Sequence, residues 1–310
     1  MHCLVTGANG YIGQALLPAL AERKYLLSMQ CRSGAVSALQ RANASLFECD
    51  FSSDTWELPL QDVDVVVHLA GVAHQQGDIA VYQTVNVDAS LALADRAIAA
   101  GVRRFVFVSS VKAETAEYDE SGVLLQVSEA KNPYAQSKAV AEEGLRQRFQ
   151  GSDVTLVVLR PALVYSEGSL GHLRWLRRWA NLHLPTPPEG GQRSMIALAD
   201  LVRLLTLLVE FPLDDKQTFV TVTDGESYST RRLHAALCTA VQRQPWLPSP
   251  PAFVWQVLGR ILDTVRGEAP GRTWDRMTGD ECYASKGLDV LGFSPSLSFE
   301  SSLGVVADAS

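Results

Sequence analysis

Cysteine is scarce in this 310-residue chain: five residues, at 3, 31, 49, 238 and 282, an odd number with no Cys-x-x-Cys pair. That excludes a disulfide framework and a cysteine zinc site. It fits reduced, intracellular usage, with Cys3 and Cys31 inside apparent core strands. No run of about 18 apolar residues occurs, so no membrane span is predicted. Positive charge is in deficit as well. The 27 Lys and Arg against 34 Asp and Glu leave a net charge of −7, which argues against nucleic-acid binding, whose footprint is basic. There is no internal repeat and no low-complexity tract. The first apolar run begins at residue 2, which leaves no room for a signal peptide and points to the cytoplasm.

What is present is a large apolar fraction, 47%, enough for one large α/β domain or a domain with a smaller lobe. Strand-like runs at 2–6, 25–31, 45–50, 63–70, 104–110, 154–160 and 217–223 alternate with helix-like runs at 12–22, 34–41, 84–100, 134–149 and 197–210. Runs such as Val63-Asp64-Val65-Val66-Val67-His68-Leu69 are almost continuously apolar, as in parallel strands buried on both faces. The order predicts a Rossmann-type, doubly wound parallel sheet. Residues 1–165, with 197–224 returning to it, form the dinucleotide-binding domain. Residues 166–196 and 225–310, rich in Gly, Pro, Trp and Arg or lacking strand partners, form a smaller substrate-binding lobe.

The opening MHCLVTGANGYIG reads as strand, glycine turn and helix start. Gly7 permits the tight turn, Gly10 lets the backbone approach a pyrophosphate, and Gly13 lets helix and strand pack closely. The free N–H groups and partial positive charge of the helix end face the phosphates. An ordinary tight turn would use the same residues. In NPYAQSK, Tyr134 and Lys138 are four apart and share one helix face. An adjacent ammonium and an oxidised nicotinamide would lower the phenol and make it an acid–base group. Read alone, the pair also fits a solvated face. Ser109 and Ser110 end the strand Arg104-Phe105-Val106-Phe107-Val108. A hydroxyl there can align a substrate oxygen, or simply close a turn.

Taken in order, TGANGYIG, VVHLAGVAH, VNVDAS, RFVFVSSVK, NPYAQSK and VVLRPALVY resemble the extended short-chain dehydrogenase/reductase family. The nearest resemblance is to its nucleotide-sugar 4-epimerases and 4-reductases, and it extends through RSMIALADLV to DVLGFSPSLSFESSL. It implies a catalytic set of Ser110, Tyr134 and Lys138. It implies cofactor contacts from Gly7, Gly10, Tyr11, Ile12, Gly13, Arg32, Asp50, Phe51, Leu69, Ala70, Gly71, Asn86, Ser109, Tyr134, Lys138 and Pro161. Substrate would meet Ser110, Lys112, Tyr134, Arg193 and Arg276, the two arginines because a guanidinium fork suits a diphosphate. Either arginine alone also reads as a surface charge.

Two departures shape the expected activity. The second strand ends in Met29-Gln30-Cys31-Arg32-Ser33, without the carboxylate that bonds the ribose 2′-OH of NAD. Arg32 suits a 2′-phosphate, so NADP(H) is favoured, with NAD(H) the alternative. Val111-Lys112 after Ser110 argues against 4,6-dehydration, and residues 167–172 depart from the glycine–asparagine pair of similar proteins, with His172 in the asparagine's place. The expectation is an NADP(H)-linked reductase of the 4-keto group of a UDP-linked 6-deoxy-N-acetylhexosamine, in surface-polysaccharide precursor synthesis. The alternatives are a UDP-hexose 4-epimerase holding NAD, a non-sugar carbonyl reductase and a non-catalytic dinucleotide sensor. Homodimerisation through helices 84–100 and 134–149 is implied by the resemblance. His74 reads as a substrate-facing or plain loop histidine. Trp175 and Trp179, with Arg174, Arg177 and Arg178, read as a lid helix with a solvated basic face, or as an aromatic and basic helix that stacks a uracil or meets phosphates. The apolar helix 252–265 is expected to pack on the protein rather than touch a membrane.

Overall fold

The computed structural model describes residues 1–32, 44–53, 55–73, 79–118, 124–127, 132–166, 173–243 and 249–304. The predicted helix 34–41, His74 and the segment 167–172 lie outside the described residues. The chain divides into two compact units. Met1–Pro161, Leu201–Val222 and Lys286–Phe293 make the first, and Ala162–Asp200, Thr223–Ser285 and Ser294–Ser310 the second.

In the first unit, strands β1 (His2–Thr6), β2 (Leu26–Cys31), β3 (Ala44–Glu48), β4 (Val65–His68) and β5 (Arg104–Val108) precede a small antiparallel ribbon of β6 (Ala116–Tyr118) and β7 (Leu124–Val127). The strand β8 (Thr155–Pro161) follows, and β11 (Gln217–Val222) closes the unit's sheet. Its order is β11-β8-β5-β4-β1-β2-β3, and every pairing is parallel. The strand order reverses between β1 and β4, and such sheets bind ligands at that switch point. All four β4 residues are buried, which is why its sequence is apolar without alternation.

Helix α1 (Tyr11–Glu22) follows β1. The short α2 (Ile79–Val81) continues into a π-helical stretch, Tyr82–Asp88, and then α3 (Ala89–Ala99). Helix α4 (Pro133–Arg148) begins where Asn132 Oδ1 accepts the Ala135 N–H at 3.4 Å and Pro133 takes the first helical position, a strong start signal. Leu93 and Ala97 of α3 and Ala141 and Leu145 of α4 pack with Phe105, Phe107, Leu156 and Val158 of the sheet. Fully burying a Phe or Leu side chain contributes about 1.5–3 kcal/mol.

The second unit has a three-stranded sheet in the order β12 (Ser227–Tyr228), β10 (Arg193–Ala197), β9 (Leu163–Tyr165). Around it lie α5 (Arg174–Asn181), α7 (Thr230–Ala240), α8 (Ala252–Arg266), α9 (Arg272–Thr278) and α10 (Phe299–Ser302), and α6 (Leu198–Glu210) leads back to the first unit. Tyr165, Tyr228, Phe299, Met195, Leu233 and Leu237 form this unit's core. Helix α8 packs through Trp255, Gly259 and Asp263, which are buried, while most of its other large apolar residues face outward.

Candidate active site

Gly7 turns the chain out of β1 with φ +65°, and a Cβ there would lie 2.7 Å from the Ala70 amide nitrogen. The Gly10 N–H donates to Gly7 O at 2.8 Å. Gly10 is also the N-cap of α1, supplies no side-chain cap, and no acidic residue sits in the first turn. At Gly13 a Cβ would be 2.6 Å from Gly7 O and 2.7 Å from Ala8 O, so helix and turn touch through backbone alone. A close-packed turn and an uncapped helix N-terminus suit an anionic pyrophosphate. Gln30 braces the turn. Its Oε1 accepts the Gly7 N–H at 2.9 Å, its Nε2 donates to Cys49 O at 2.7 Å, and its carbonyl accepts the Ala8 N–H at 2.9 Å. Arg32 is exposed just past β2. The Ser52 amide, 2.9 Å from Asp50 Oδ1, holds that carboxyl below its usual range, and Arg32 adds to the effect.

A buried polar chain runs beneath the turn. The Ala70 N–H meets Thr6 Oγ1 at 3.3 Å, Thr6 Oγ1 lies 2.6 Å from His68 Nδ1, and His68 Nε2 lies 2.9 Å from Ser90 Oγ. Ser90 Oγ donates to Asn86 O at 2.7 Å. That fixes every proton: Ser90 accepts from Nε2–H, and Nδ1 accepts from Thr6. The ring is neutral, because burial, with Lys138 in support, pushes His68 down to about 3. Asn86 lies in the π-helical stretch, a feature that recurs at functional sites. Its side chain accepts the Val72 N–H at 2.8 Å and donates to Val72 O at 3.0 Å and to Ser137 Oγ at 2.9 Å. Ser137 Oγ in turn donates to Tyr134 O at 2.8 Å. Asn86 thus ties the loop after β4 to the start of α4.

Ser110, Tyr134 and Lys138 come together at this place. The Ser110 hydroxyl hydrogen-bonds the Tyr134 phenol and accepts the Lys112 N–H at 3.2 Å. Lys138 is buried, donates to Val108 O at 3.0 Å and lies 4.6 Å from the Phe107 ring centre. Burial lowers its ammonium to about 8, against a smaller opposing pull from Glu142. The Tyr134 phenol is pushed up from its usual value. Burial dominates, and the Ser110 hydrogen bond only partly offsets it. A Cβ on Gly71 would fall 3.1 Å from Asn86 Oδ1 and 3.3 Å from Lys138 Nζ. The Ser109 hydroxyl is buried without a hydrogen-bond partner. A glycine cradle and an orphaned hydroxyl beside the Tyr/Lys pair fit the ring and ribose of a nicotinamide nucleotide. Leu69 and Ala70 line the same turn, Phe51 packs edge-on to His68 at 6.0 Å, and Pro161 ends β8.

Behind Lys138, buried Glu142 takes Arg160 in a two-oxygen ion pair at 2.5 and 3.1 Å, and Arg160 also lies 3.7 Å from Glu114. In the second unit, Arg193 and Arg276 meet. The Arg193 guanidinium donates to Arg276 O, to Gly191 O at 3.1 Å and to Thr230 Oγ1 at 2.9 Å. A guanidinium carries five N–H donors, so capacity remains. Arg276 pairs with Glu268 at 2.9 Å. Sequence reading missed Gln30, His68, Ser90, Ser137, Glu142 and Arg160. The available signal was a polar residue inside an otherwise apolar strand, as in LLSMQC and VVVH.

Among the described residues no cluster could hold a metal ion, and no helix is long and apolar enough to cross a membrane. The parallel sheet, its glycine turn and the Ser/Tyr/Lys grouping define a dinucleotide-binding enzyme of the extended short-chain dehydrogenase/reductase type. The chain belongs to the NAD dependent epimerase/dehydratase family, whose profile matches residues 3–220. It is 29% identical over 307 residues to a UDP-glucose 4-epimerase of Vibrio cholerae, covering 94% of this chain and 90% of that one. The fold also matches UDP-glucuronic acid 4-epimerase from Bacillus cereus in complex with UDP-glucuronic acid and NAD. That match has a TM-score of 0.73 and 18% identity over 98% of this chain and 97% of the other. A second solved structure, MoeE5 in complex with UDP-glucose and NAD, gives 0.72 and 19% over 98% and 97%. At these identities the two structures establish the fold alone.

Proposed function

We propose that the protein is an NADP(H)-linked reductase of the 4-keto group of a UDP-linked 6-deoxy-N-acetylhexosamine. The observation that carries this reading is the end of β2. Gln30 is consumed in bracing the glycine turn, β2 itself carries no carboxylate at its end for a ribose 2′-OH, and exposed Arg32 follows near Asp50.

A bound nicotinamide nucleotide supplies the hydride for the sugar C4. Tyr134 delivers the proton to the carbonyl oxygen. Ser110, hydrogen-bonded to Tyr134, aligns that oxygen. Lys138, anchored on Val108 O, is placed to hold the ribose and to favour proton release from Tyr134. The Gly7–Gly13 turn, with Tyr11 and Ile12, holds the pyrophosphate, and Asp50 meets the adenosine. Arg193 and Arg276, with Lys112, are the residues we assign to the substrate. The reading places the enzyme in the cytoplasm as a homodimer through helices 84–100 and 134–149, in surface-polysaccharide precursor synthesis.

A second reading, a UDP-hexose 4-epimerase, is supported by the Vibrio cholerae relative. It uses the same Ser110, Tyr134 and Lys138 but keeps its cofactor. Nucleotide released on denaturing the purified protein separates the two, with titration of the emptied protein and of Arg32→Ala. Binding of NADPH well above NADH, lost in Arg32→Ala, supports the reductase. NAD(H) retained at close to one per chain overturns it in favour of the epimerase.

A further inference from the structure

Helix α8 is built the wrong way round for a helix that only packs on its own protein. One side carries Trp255, Gly259 and Asp263, all buried. The remaining surface of the helix carries Phe253, Val257, Leu258, Ile261, Leu262 and Val265, all exposed, with Phe253 at 66% and Val265 at 80%. Six large apolar side chains on one exposed face exceed the scattered singles normal on a soluble surface.

The neighbouring helix supplies charge. Trp255 of α8 packs against Trp179 of α5 at 5.4 Å between ring centres, and Trp179 against Trp175 at 6.1 Å. This aromatic ladder links the two helices through their side chains and leaves Trp175 43% exposed. Arg174, Arg177 and Arg178 of α5 and Arg260 and Arg266 of α8 are all exposed. The one acidic residue on either helix is Asp263. It is buried and consumed by the Gly271 and Thr273 N–H groups at 2.7 and 2.9 Å. In a chain of net charge −7, this is a local reversal of sign beside an apolar helix face.

We propose that α5 and α8 form a docking surface for an anionic phospholipid membrane. The aliphatic face of α8 enters the headgroup boundary, Trp175 sits at the interface, and the five arginines meet lipid phosphates. A helix with an exposed apolar face and arginines around it can lie in the plane of such a boundary. Each basic group near an anionic leaflet adds to the attraction. A second copy is the weaker occupant. Fifteen residues at 1.5 Å each make a helix about 22 Å long and about 10 Å wide. That projected strip is small, and a symmetric contact through it would set the same arginine-bearing surface of each copy against the other, which like charge opposes.

The test is sedimentation of the full chain with vesicles of phosphatidylcholine alone and of phosphatidylcholine mixed with phosphatidylglycerol. Two double variants are run in parallel, Ile261→Asp/Val265→Asp and Arg174→Glu/Arg178→Glu. Their melting temperatures, and their masses by light scattering, are recorded without lipid. The proposal expects binding to the anionic vesicles, weakened by salt and reduced at least tenfold in each double variant, with folding and mass unchanged. Three results overturn it. One is no sedimentation with anionic vesicles. Another is equal binding by the well-folded Ile261→Asp/Val265→Asp protein. The third is a halving of mass in that variant, which assigns the face to a second copy.

Discussion

Replacing Lys138 by Met separates what this residue does for the reaction from what it does to the fold. Lys138 is a buried ammonium whose pKa falls from 10.5 to about 8. At about 1.4 kcal/mol per pH unit, holding it protonated in the fold at pH 7 forfeits about 3 kcal/mol. Methionine fills a similar volume and carries no charge to desolvate. It gives up the 3.0 Å hydrogen bond to Val108 O, worth about 1 kcal/mol net. The variant is therefore expected to be more stable than the parent by about 2 kcal/mol at pH 7. The sign reverses with pH. Between about 8 and 10.5 the unfolded parent holds a proton that the native parent lacks, so the parent gains stability as pH rises. The variant's advantage shrinks over that window, is gone near about pH 9.5, and gives way to a parent lead of about 1 kcal/mol at the upper end. Turnover falls over the same substitution by roughly two to four orders of magnitude, the range of a positioned acid–base arrangement. Denaturant melts of both proteins at pH 7 and pH 10, with the rate at pH 7, provide the check. A variant less stable than the parent at pH 7, or a stability gap independent of pH, refutes the reasoning.

Tyr134→Phe should cut turnover by roughly 100-fold or more while dinucleotide affinity and the melting curve barely move, since only the Ser110 hydrogen bond is lost. Near-normal turnover would exclude Tyr134 as the proton donor. Gly13→Ala should cost about 1–3 kcal/mol through overpacking, because its Cβ would approach Gly7 O to 2.6 Å. It should also weaken dinucleotide binding more than any other property. Calorimetric titration showing parental affinity would contradict the close-packed turn.

The sheet was legible because its strands are buried on both faces. VVVH and LVVL read as interior strands of a parallel sheet from their short, β-branched apolar runs, and observed bounds differ from the predicted ones by a residue or two. The helix predicted at 84–100 begins earlier, with Ile79–Val81 and the π stretch Tyr82–Asp88. A change of helical period leaves no mark in a 3.6-residue pattern. The three short strands of the second unit were invisible. Arg193–Ala197 carries Arg and Ser at its start, and a two-residue strand such as Ser227–Tyr228 has no period at all. Asn86, Gly71, Ser110, Tyr134 and Lys138 could be singled out from linear motifs. Gln30, His68 and Ser90 could not, because their roles arise from contacts 22 to 62 residues apart in sequence. The outward face of α8 escaped for the opposite reason. Periodicity reports that a helix is apolar, but says nothing of whether anything covers it.

The central claim is that this chain moves a hydride from NADPH to a sugar ketone and does not merely shuttle one. The most direct measurement mixes the purified enzyme with a UDP-linked 4-keto-6-deoxy-N-acetylhexosamine and NADPH, and follows nucleotide absorbance and sugar NMR together. The account predicts one NADPH oxidised for each ketone converted to the C4 alcohol. UDP-hexoses interconverting at C4 without added nucleotide, and with no NADPH consumed by the ketone, would contradict it.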